Sequence, residues 1–464
     1  MERVLPKTLN YQDVLPLAVE SRARRRTFFP VNGQSFSATG NNIIRVDLSA
    51  DALLDTQHSY LRFTLTNNSG KTAGIDYAGG HSFIRRLRVE QSGTVLEDIN
   101  SYNRLMGAIV LPCQSGFEHH KERAVTEGVF GGGAGNTTAD GATATQIADL
   151  NGKSSSAMGG QRANLNTQIA NGGTYTFCIP LNSGILNNEK LIPLMLMSAP
   201  LTIEIELAPL AEPLAFEDTA ATNYTIDNVR YIANLIEVGQ DVAGQLRMLQ
   251  EVSGGVLTLA GQTYRHFVGA ITTNEGDQII NVPARVKSMK SLFFAQQTDN
   301  AGMDNYSVSN SGNFRLNEFQ LKIGSVVYPP TPVRCSYGVG TATAVANVRA
   351  EALMELAKAW GSVGGVKGMG QLNTFNYAAS ENGRTAADGG DSAVTRFAPF
   401  GLDLEAFQRV AIESGVNTAD RSLPISLVLN YAGGGPTAQT NVDVYVLADA
   451  LFYLNADGSM SVSV

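Results

Sequence analysis

The residues with the greatest potential for chemistry sit in the heptapeptide "FEHHKER". Glu118, His119, His120 and Glu122 stand together there. On a helix His119 and Glu122 lie one turn apart, a spacing at which two side chains can share a metal ion. Adjacent histidines point to different sides, however, and the chain has only 5 histidines, so a surface-exposed pair is the expectation. Glu204 and Glu206 in "LTIEIEL" share one side of an extended segment. Paired carboxylates do acid and base work when they face each other across a cleft. Two on one strand with no opposing partner fit a solvated sheet face or a subunit contact. No nucleophile elbow, P-loop or dinucleotide-binding glycine motif accompanies them. No catalytic, cofactor-binding or metal-ligating residue is therefore assigned, no cofactor is expected, and the chain is not expected to be an enzyme.

One charged feature remains. "SRARRRTFFP" carries Arg22, Arg24, Arg25 and Arg26, in a chain of formal charge −8. Residues 1–30 hold six basic and three acidic residues, so the run is a local device in an otherwise acidic chain. Such a cluster suits anionic lipid headgroups, nucleic acid, or the acidic side of another protein. A nuclear-localisation signal is the lesser reading. Basic and aromatic residues are not interleaved in the manner of single-strand binders.

Cys113, Cys178 and Cys335 lie far apart and are odd in number, so they read as small buried apolar residues. The start, "MERVLPKTLNYQDV", lacks the apolar core of a signal peptide, and "LIPLMLMSAPL" is too short to span a bilayer. A soluble protein made in a reducing cytosol is expected. In "GSVVYPPTPV", Pro329, Pro330 and Pro332 are expected to stiffen the exit from a strand.

The elements that position these residues are mostly strands. "NIIRVDL" alternates Ile44, Val46 and Leu48 with Arg45 and Asp47. "YLRFTLT", "LTIEIEL", "PISLVLN" and "NVDVYVL" do the same, as half-buried antiparallel strands do. Helical spacing is rare. "SYNRLMGAIV" places Tyr102, Leu105, Met106 and Ile109 on one side, and "AEALMELAKAWG" places Leu353, Leu356, Ala357 and Trp360 likewise before Gly361. "DLEAFQRVAIESG" offers Asp403 as N-cap and Gly415 as stop. "VLPLAVESRARRR", with Pro16 in its first turn, reads as a short helix before the first strand.

The chain repeats itself. "FIRRLRVEQSGTVLEDI" followed by "SYNRLMGAI" has its counterpart in "LNEFQLKIGSVVYPP" followed by "EALMELAKAW". "FCIPLNSGIL", "LTIEIEL" and "VRYIANLIEV" correspond to "FAPFGLDLEAF", "PISLVLN" and "VYVLADALFYL". Pro180 then matches Pro399, Ile203 matches Ile425 and Ala233 matches Ala448. An offset this long indicates a duplicated domain. Each half holds about eight short antiparallel strands, which fits a jelly roll. The expected fold is all-β: an arm at 1–30, a first jelly-roll sandwich at 31–239 and a second at 240–464, with the boundary near Gly239 to Gln245. Long insertions at about 128–173 and 361–394 fall in matching places and read as exposed functional loops.

In this order of features the chain resembles the double jelly-roll major capsid proteins of tailless icosahedral DNA viruses. The phrases that carry the resemblance are "NNIIRVDLSADALLDTQHSYLRFTLTN", "FIRRLRVEQSGTVLEDINSYNRL", "FQLKIGSVVYPPTPV" and "NVDVYVLADALFYLNADG". The resemblance implies two jelly rolls side by side, three chains in a capsomer of pseudo-sixfold outline, and long loops forming towers and clasps. It implies a virion location after synthesis in the host cytoplasm. The partners it implies are further copies of the chain and minor capsid or penton proteins. An internal membrane or the packaged genome would be met through the N-terminal arm, and no small-molecule substrate is implied. Arg22, Arg24, Arg25 and Arg26 would then be an assembly arm on the inner face, whose replacement by serine leaves trimers intact and impairs particle assembly. The competing class is a carbohydrate- or receptor-binding β-sandwich, lectin-like or a virion attachment protein. It calls for an exposed aromatic platform, whereas the single Trp360 sits on a helical stripe. An enzyme on a sandwich would need a carboxylate or histidine cluster that the sequence does not assemble.

Overall fold

The computed structural model describes residues 21–114 (except 71, 72 and 77), 125–127, 168–335 (except 170, 211, 216–222, 273, 274, 299–307 and 310), 350–361, 372, 377, 397–406 and 415–464 (except 433–435, 437 and 438). Alternating residues become strands with one wet and one dry side. Ile44, Val46 and Leu48 are buried, while Ile43 and Arg45, which alternate with them, are exposed.

The first half contains β1 (Ser21–Phe28), β2 (Ser35–Ser37), β3 (Ile43–Leu48), β4 (Leu53–Asn67), β5 (Ala73–Ile75), β6 (Ile84–Gln91), β7 (Thr94–Asn100), β8 (Gln168–Ile169), β9 (Thr174–Ile179), β10 (Ile192–Pro193), β11 (Leu201–Leu207), β12 (Leu214–Ala215) and β13 (Tyr224–Val238). The second contains β14 (Val256–Ile271), β15 (Asp277–Asn281), β16 (Met289–Thr298), β17 (Leu316–Ile323), β18 (Val326–Arg334), β19 (Pro399–Asp403), β20 (Ile425–Tyr431), β21 (Thr440–Asn455) and β22 (Met460–Ser463).

Pairing reveals the duplication strand by strand. One sheet of the first half runs β1, β13, β4, with β9 on the far side of β4; its counterpart runs β14, β21, β16, β19. The other sheet runs β3, β11, β6, β7, and its counterpart β15, β20, β17, β18. Each half is thus a sandwich built on the same order of eight strands, with β2 and β10 added in the first and β22 in the second, and every named pairing is antiparallel. The short strands β5, β8 and β12 form a small accessory sheet. The fold is a double jelly roll.

The two cores carry matching aromatic trios. Phe63 on β4, Phe177 on β9 and Phe83 just before β6 have ring centres 5.0 to 6.1 Å apart. Phe294 on β16, Phe400 on β19 and Phe319 on β17 have theirs 5.0 to 5.6 Å apart. Edge-to-face and offset contacts of this kind add to the burial that already holds the sheets together.

Helices fill the connections. Tyr102–Arg104, Leu105–Val110 and Leu111–Gln114 follow one another as α, π and α turns, and Tyr102, Leu105, Met106 and Ile109 are buried as their spacing required. In the helix Ala350–Ala359 the fully buried side is Ala352, Leu356 and Ala359, with Leu353 and Trp360 partly buried beside it. Gly361 follows at φ +108°, a conformation that suits glycine as helix stop. A helix that the sequence does not announce, Gln240–Val252, lies between β13 and β14.

Three local readings change. Residues 21–28, expected in a helix-bearing arm, form β1 instead. Arginine and alanine favour helix in isolation, but eight residue pairs with β13 override that preference. Pro329, Pro330 and Pro332 lie within β18 rather than beyond a strand. They are accommodated because β18 is an edge strand with a register shift opposite Phe319 and Leu321. Pro180 follows β9 whereas Pro399 begins β19, so these two prolines are not structural counterparts. The helix proposed after Asp403 lies, from 407 to 414, outside the described residues, as does most of 128–173 and 361–394.

Candidate assembly surfaces

The arginine run occupies an edge. β1 pairs with β13 on one side and with no other strand among the described residues. Period-two geometry puts Arg22, Arg24 and Arg26 on the same side as the buried Phe28, opposite Glu237, Leu235 and Ala233 of β13. Arg24 Nη1 bonds Glu237 Oε1 at 2.6 Å, and the Arg26 guanidinium stands 4.9 Å from the centre of the Phe28 ring. Arg25 projects to the opposite side. Six of the eight residues of β1 are exposed, all four arginines among them. Charged side chains on an edge strand discourage pairing with stray strands.

The two sandwiches meet along a seam that is mostly polar and buried. Arg104, from the first helical segment, reaches into the second sandwich: its Nε bonds Asp443 Oδ2 at 3.1 Å and its Nη1 bonds the Val308 carbonyl at 2.6 Å. His266 Nε2 lies 2.9 Å from Asp443 Oδ1, and the His266 ring stacks on Tyr445. Burial opposes ionisation of Asp443, but the His266 bond and the Arg104 charge outweigh it and hold the carboxyl below its ordinary range. Asp76 accepts bonds from the Ser309 hydroxyl, the Ser309 N–H (3.3 Å) and the Ala78 N–H (2.9 Å). Burial dominates there, and pushes the Asp76 carboxyl up to about 6. Glu97 is buried as well, and accepts bonds from the Ser183 hydroxyl, the Gly184 N–H at 3.0 Å and the Thr263 hydroxyl. Gln91 ties down the C-terminal hairpin, with Nε2 donating to the Gly458 carbonyl at 3.0 Å and Oε1 accepting from the Met460 N–H at 2.5 Å.

A cleft of about 770 Å³ opens on this seam, lined among others by Asn182, Asn187, Gln262, Lys290 and Trp360. Trp360 is no exposed platform for a sugar: its ring stacks on Phe293 at 4.4 Å and is partly buried. Lys290 is engaged by Glu405 at 3.2 Å and Asp449 at 3.7 Å.

The other sequence candidates separate. Glu204 is buried in a cross-strand ladder, 2.6 Å from Arg45 Nη2 on β3 and 3.9 Å from Arg88 Nη1 on β6. Arg86 and Asp98 continue the same sheet with a two-pronged contact at 2.7 and 2.5 Å. These charges knit strands together and do not face a cleft as a carboxylate pair. Glu118, His119, His120 and Glu122 lie outside the described residues. Cys113 and Cys335 are buried and Cys178 is partly so, all with free thiols; burial pushes Cys113 up to about 12. On the linking helix Met248, Leu249 and Val252 are exposed apolar residues. Sequence reasoning missed the seam, because its bonds join residues such as Asp76 and Ser309 that are 233 positions apart.

No protein-family model and no curated protein sequence matches this chain. Solved structures do. The VP54 protein of PBCV-1 superposes with a TM-score of 0.58 at 9% identity, covering 98% of this chain and 99% of that one. The Faustovirus major capsid protein gives 0.57 at 8% identity over 94% and 91% of the two chains. The mavirus major capsid protein gives 0.52 at 11% identity over 100% and 96%. At these identities the likeness is one of fold, and it extends over both sandwiches and their order.

Proposed function

We propose that the chain is a major capsid protein that self-assembles as trimers of pseudo-hexagonal outline, which tile an icosahedral shell. The observation that supports this most directly is the duplication itself: two sandwiches of identical strand order, side by side, in the arrangement of the Faustovirus and mavirus major capsid proteins. Three chains with two similar domains present six similar sides, so one trimer fits a hexagonal lattice. The seam supports the same role, because buried bonds from Arg104, Asp76 and Glu97 fix the second sandwich against the first. In the virion such a shell contacts further capsomers and minor or penton proteins. Its inner side faces genome or membrane, and the chain is made in the host cytoplasm. Light scattering on the purified chain is expected to give about three times its 49.4 kDa. A monomer at every accessible concentration, or one that binds sugar, removes the proposal.

A further inference from the structure

Folding divides the arginine run. Arg24 bonds Glu237, the Arg26 guanidinium lies against Phe28, and Arg22 points to that same side of β1. Arg25 alone projects the other way, over the outer side of the sheet formed by β1, β13, β4 and β9. Two more arginines rise from that side. Arg62 on β4 and Arg230 on β13 stand directly opposite each other in the ladder, and Cys178 on β9 is opposite Arg62 in turn. Their neighbours Leu61, Phe63, Phe177 and Tyr231 are buried in the core, so period-two alternation turns Arg62, Arg230 and Cys178 outward. Asn234, which stands opposite Arg25, shares that side with Arg230.

Like charges directly opposite across two strands sit with Cβ atoms about 5 Å apart and destabilise the pair. An acid beside them would be the ordinary remedy. Neither Arg62 nor Arg230 forms an ion pair among the described residues. Of the acids on this side, Asp55 bonds His58 at 2.7 Å and Asn234 at 3.1 Å, and Asp227, opposite Thr64, is paired with neither arginine. Arg230 Nε is buried with no hydrogen-bond partner, while its guanidinium lies 5.4 Å from the centre of the exposed Phe29 ring. Burial raises the pKa of the Cys178 thiol, and the charges of Arg62 and Arg25 oppose that rise, so both guanidiniums act on one sulfur. The second sandwich treats the corresponding side differently. There the helix Ala350–Ala359 lies across the sheet, with Leu356 against Gly401 and the Ala359 carbonyl accepting from Ser291 Oγ at 3.0 Å. The helical segments after β7 turn instead to the second sandwich, where Gly107 meets Ser309, and Arg62 and Arg230 stay partly exposed.

We infer that Arg62 and Arg230, with Arg25 beside them, form a binding site for a phosphate group on the outer side of the first sandwich. Two adjacent guanidiniums offer two planar forks of donors. A carboxylate brings one charge and two oxygens, enough for one fork. A phosphomonoester brings three free oxygens and nearly two negative charges at neutral pH, which matches the pair. The same dianion gives Arg230 Nε an acceptor and offsets the repulsion between the two side chains. The phosphate is either free or carried by a nucleotide; in the second case Phe29, exposed beside Arg230, has the surface to stack on a base. The inference stands apart from the capsid reading, because it concerns one side of one sandwich within a single chain.

The test uses the full chain. Calorimetric titrations with inorganic phosphate and with adenosine monophosphate are run against chloride at equal ionic strength. Binding is expected, and its affinity is expected to fall about tenfold or more in Arg62→Gln and again when Arg230→Gln is added. Tighter binding of the nucleotide, lost in Phe29→Ser, identifies a nucleotide as the source of the phosphate; equal affinity identifies free phosphate. In chloride alone, Arg62→Gln is expected to melt no lower than the unmodified chain, because it ends a like-charge contact. In the unmodified chain, phosphate is expected to slow alkylation of Cys178 by iodoacetamide, followed by peptide mass spectrometry. That measurement needs no variant, and decides the matter if the double variant does not fold. A chain that binds neither ligand overturns the inference. So does phosphate binding that survives the double substitution, which places it elsewhere. If neither ligand binds and the double variant loses its trimers, the arginines serve an acidic side chain of another protein, and the phosphate site is excluded.

Discussion

β14 and β1 are the same strand of a duplicated sandwich, met by different surroundings. β14 carries Gly261 at its centre, where an added Cβ would meet the Gly184 carbonyl oxygen at 2.7 Å. β1 carries arginines at the matching positions, and their side chains are exposed among the described residues. A contact formed once, during folding of a single chain, can be close-packed and permanent. A contact between separately folded chains has to be avoided by wrong partners and found by the right one, which favours charge over close fit.

The comparison breaks most severely where the internal seam loses its buried cation. Arg104→Ala leaves Asp443 buried with His266 as its remaining side-chain partner among the described contacts. Removing one partner of a buried pair costs about 3–5 kcal/mol. Urea unfolding is expected to show that loss, with the first sandwich separating from the second. Unchanged stability would mean that the seam is held by shape alone.

A second, smaller effect addresses close fit. Gly261→Ala places a methyl group against backbone and against the Phe452 ring at 3.1 Å. Strain of this kind costs about 1–3 kcal/mol. A neutral or stabilising result in thermal unfolding would show that the internal seam has slack, and would weaken the contrast with β1.

The two edges were not equally legible in sequence. Alternation in "LTIEIEL" sufficed for β11, and repeated phrases sufficed to pair it with β20, because sheet-facing residues announce themselves at period two. β3, β6 and β17 could be read this way too, whereas β15 and the proline-bearing end of β18 could not. β1 could not. Its residues favour helix locally, and it is a strand because β13, some 200 positions away, supplies partners for all eight of its residues. The available signal was the duplication: a long strand, β14, precedes β15, so a counterpart was due before β3. The arginines were plain as a cluster, but their place at an edge was not. Seam residues such as Asp76, Glu97 and Asn188 carry no local pattern, since only tertiary packing brings them to their partners.

Acid sharpens the comparison from the other side. Asp76 has a folded-state pKa of about 6 against an ordinary 3.8. Folded chain therefore binds this proton more tightly than unfolded chain, and stability rises as pH falls through 6. Glu97, raised by burial as well, acts in the same direction. Asp443, held low, opposes them only once pH falls below its ordinary 3.8 toward its lowered pKa. From about pH 7 to about pH 5 the internal seam is expected to gain about 1 kcal/mol, and Asp76→Asn is expected to flatten that slope. Chemical denaturation of both proteins across this range measures it. A slope that survives in the variant assigns the proton to another group.

The smallest effect on folding belongs to β1, and there the absence of an effect is the informative result. Arg24 is exposed, and its bond to Glu237 is an exposed ion pair of the kind that adds little to folding. Arg24→Ala is expected to leave the urea midpoint of the separated chain where it was. The same substitution removes one positive charge from an edge strand, where charge discourages pairing with stray strands, so aggregation is expected to speed up, and by less at high salt where screening already weakens the repulsion. Light scattering from the separated chains at two salt concentrations separates these outcomes. If aggregation is unaffected at low salt while folding is also unaffected, the charge at position 24 has no role in either process. If folding falls as far as it does for Gly261→Ala, β1 is no freer than β14 and the contrast between the two edges disappears.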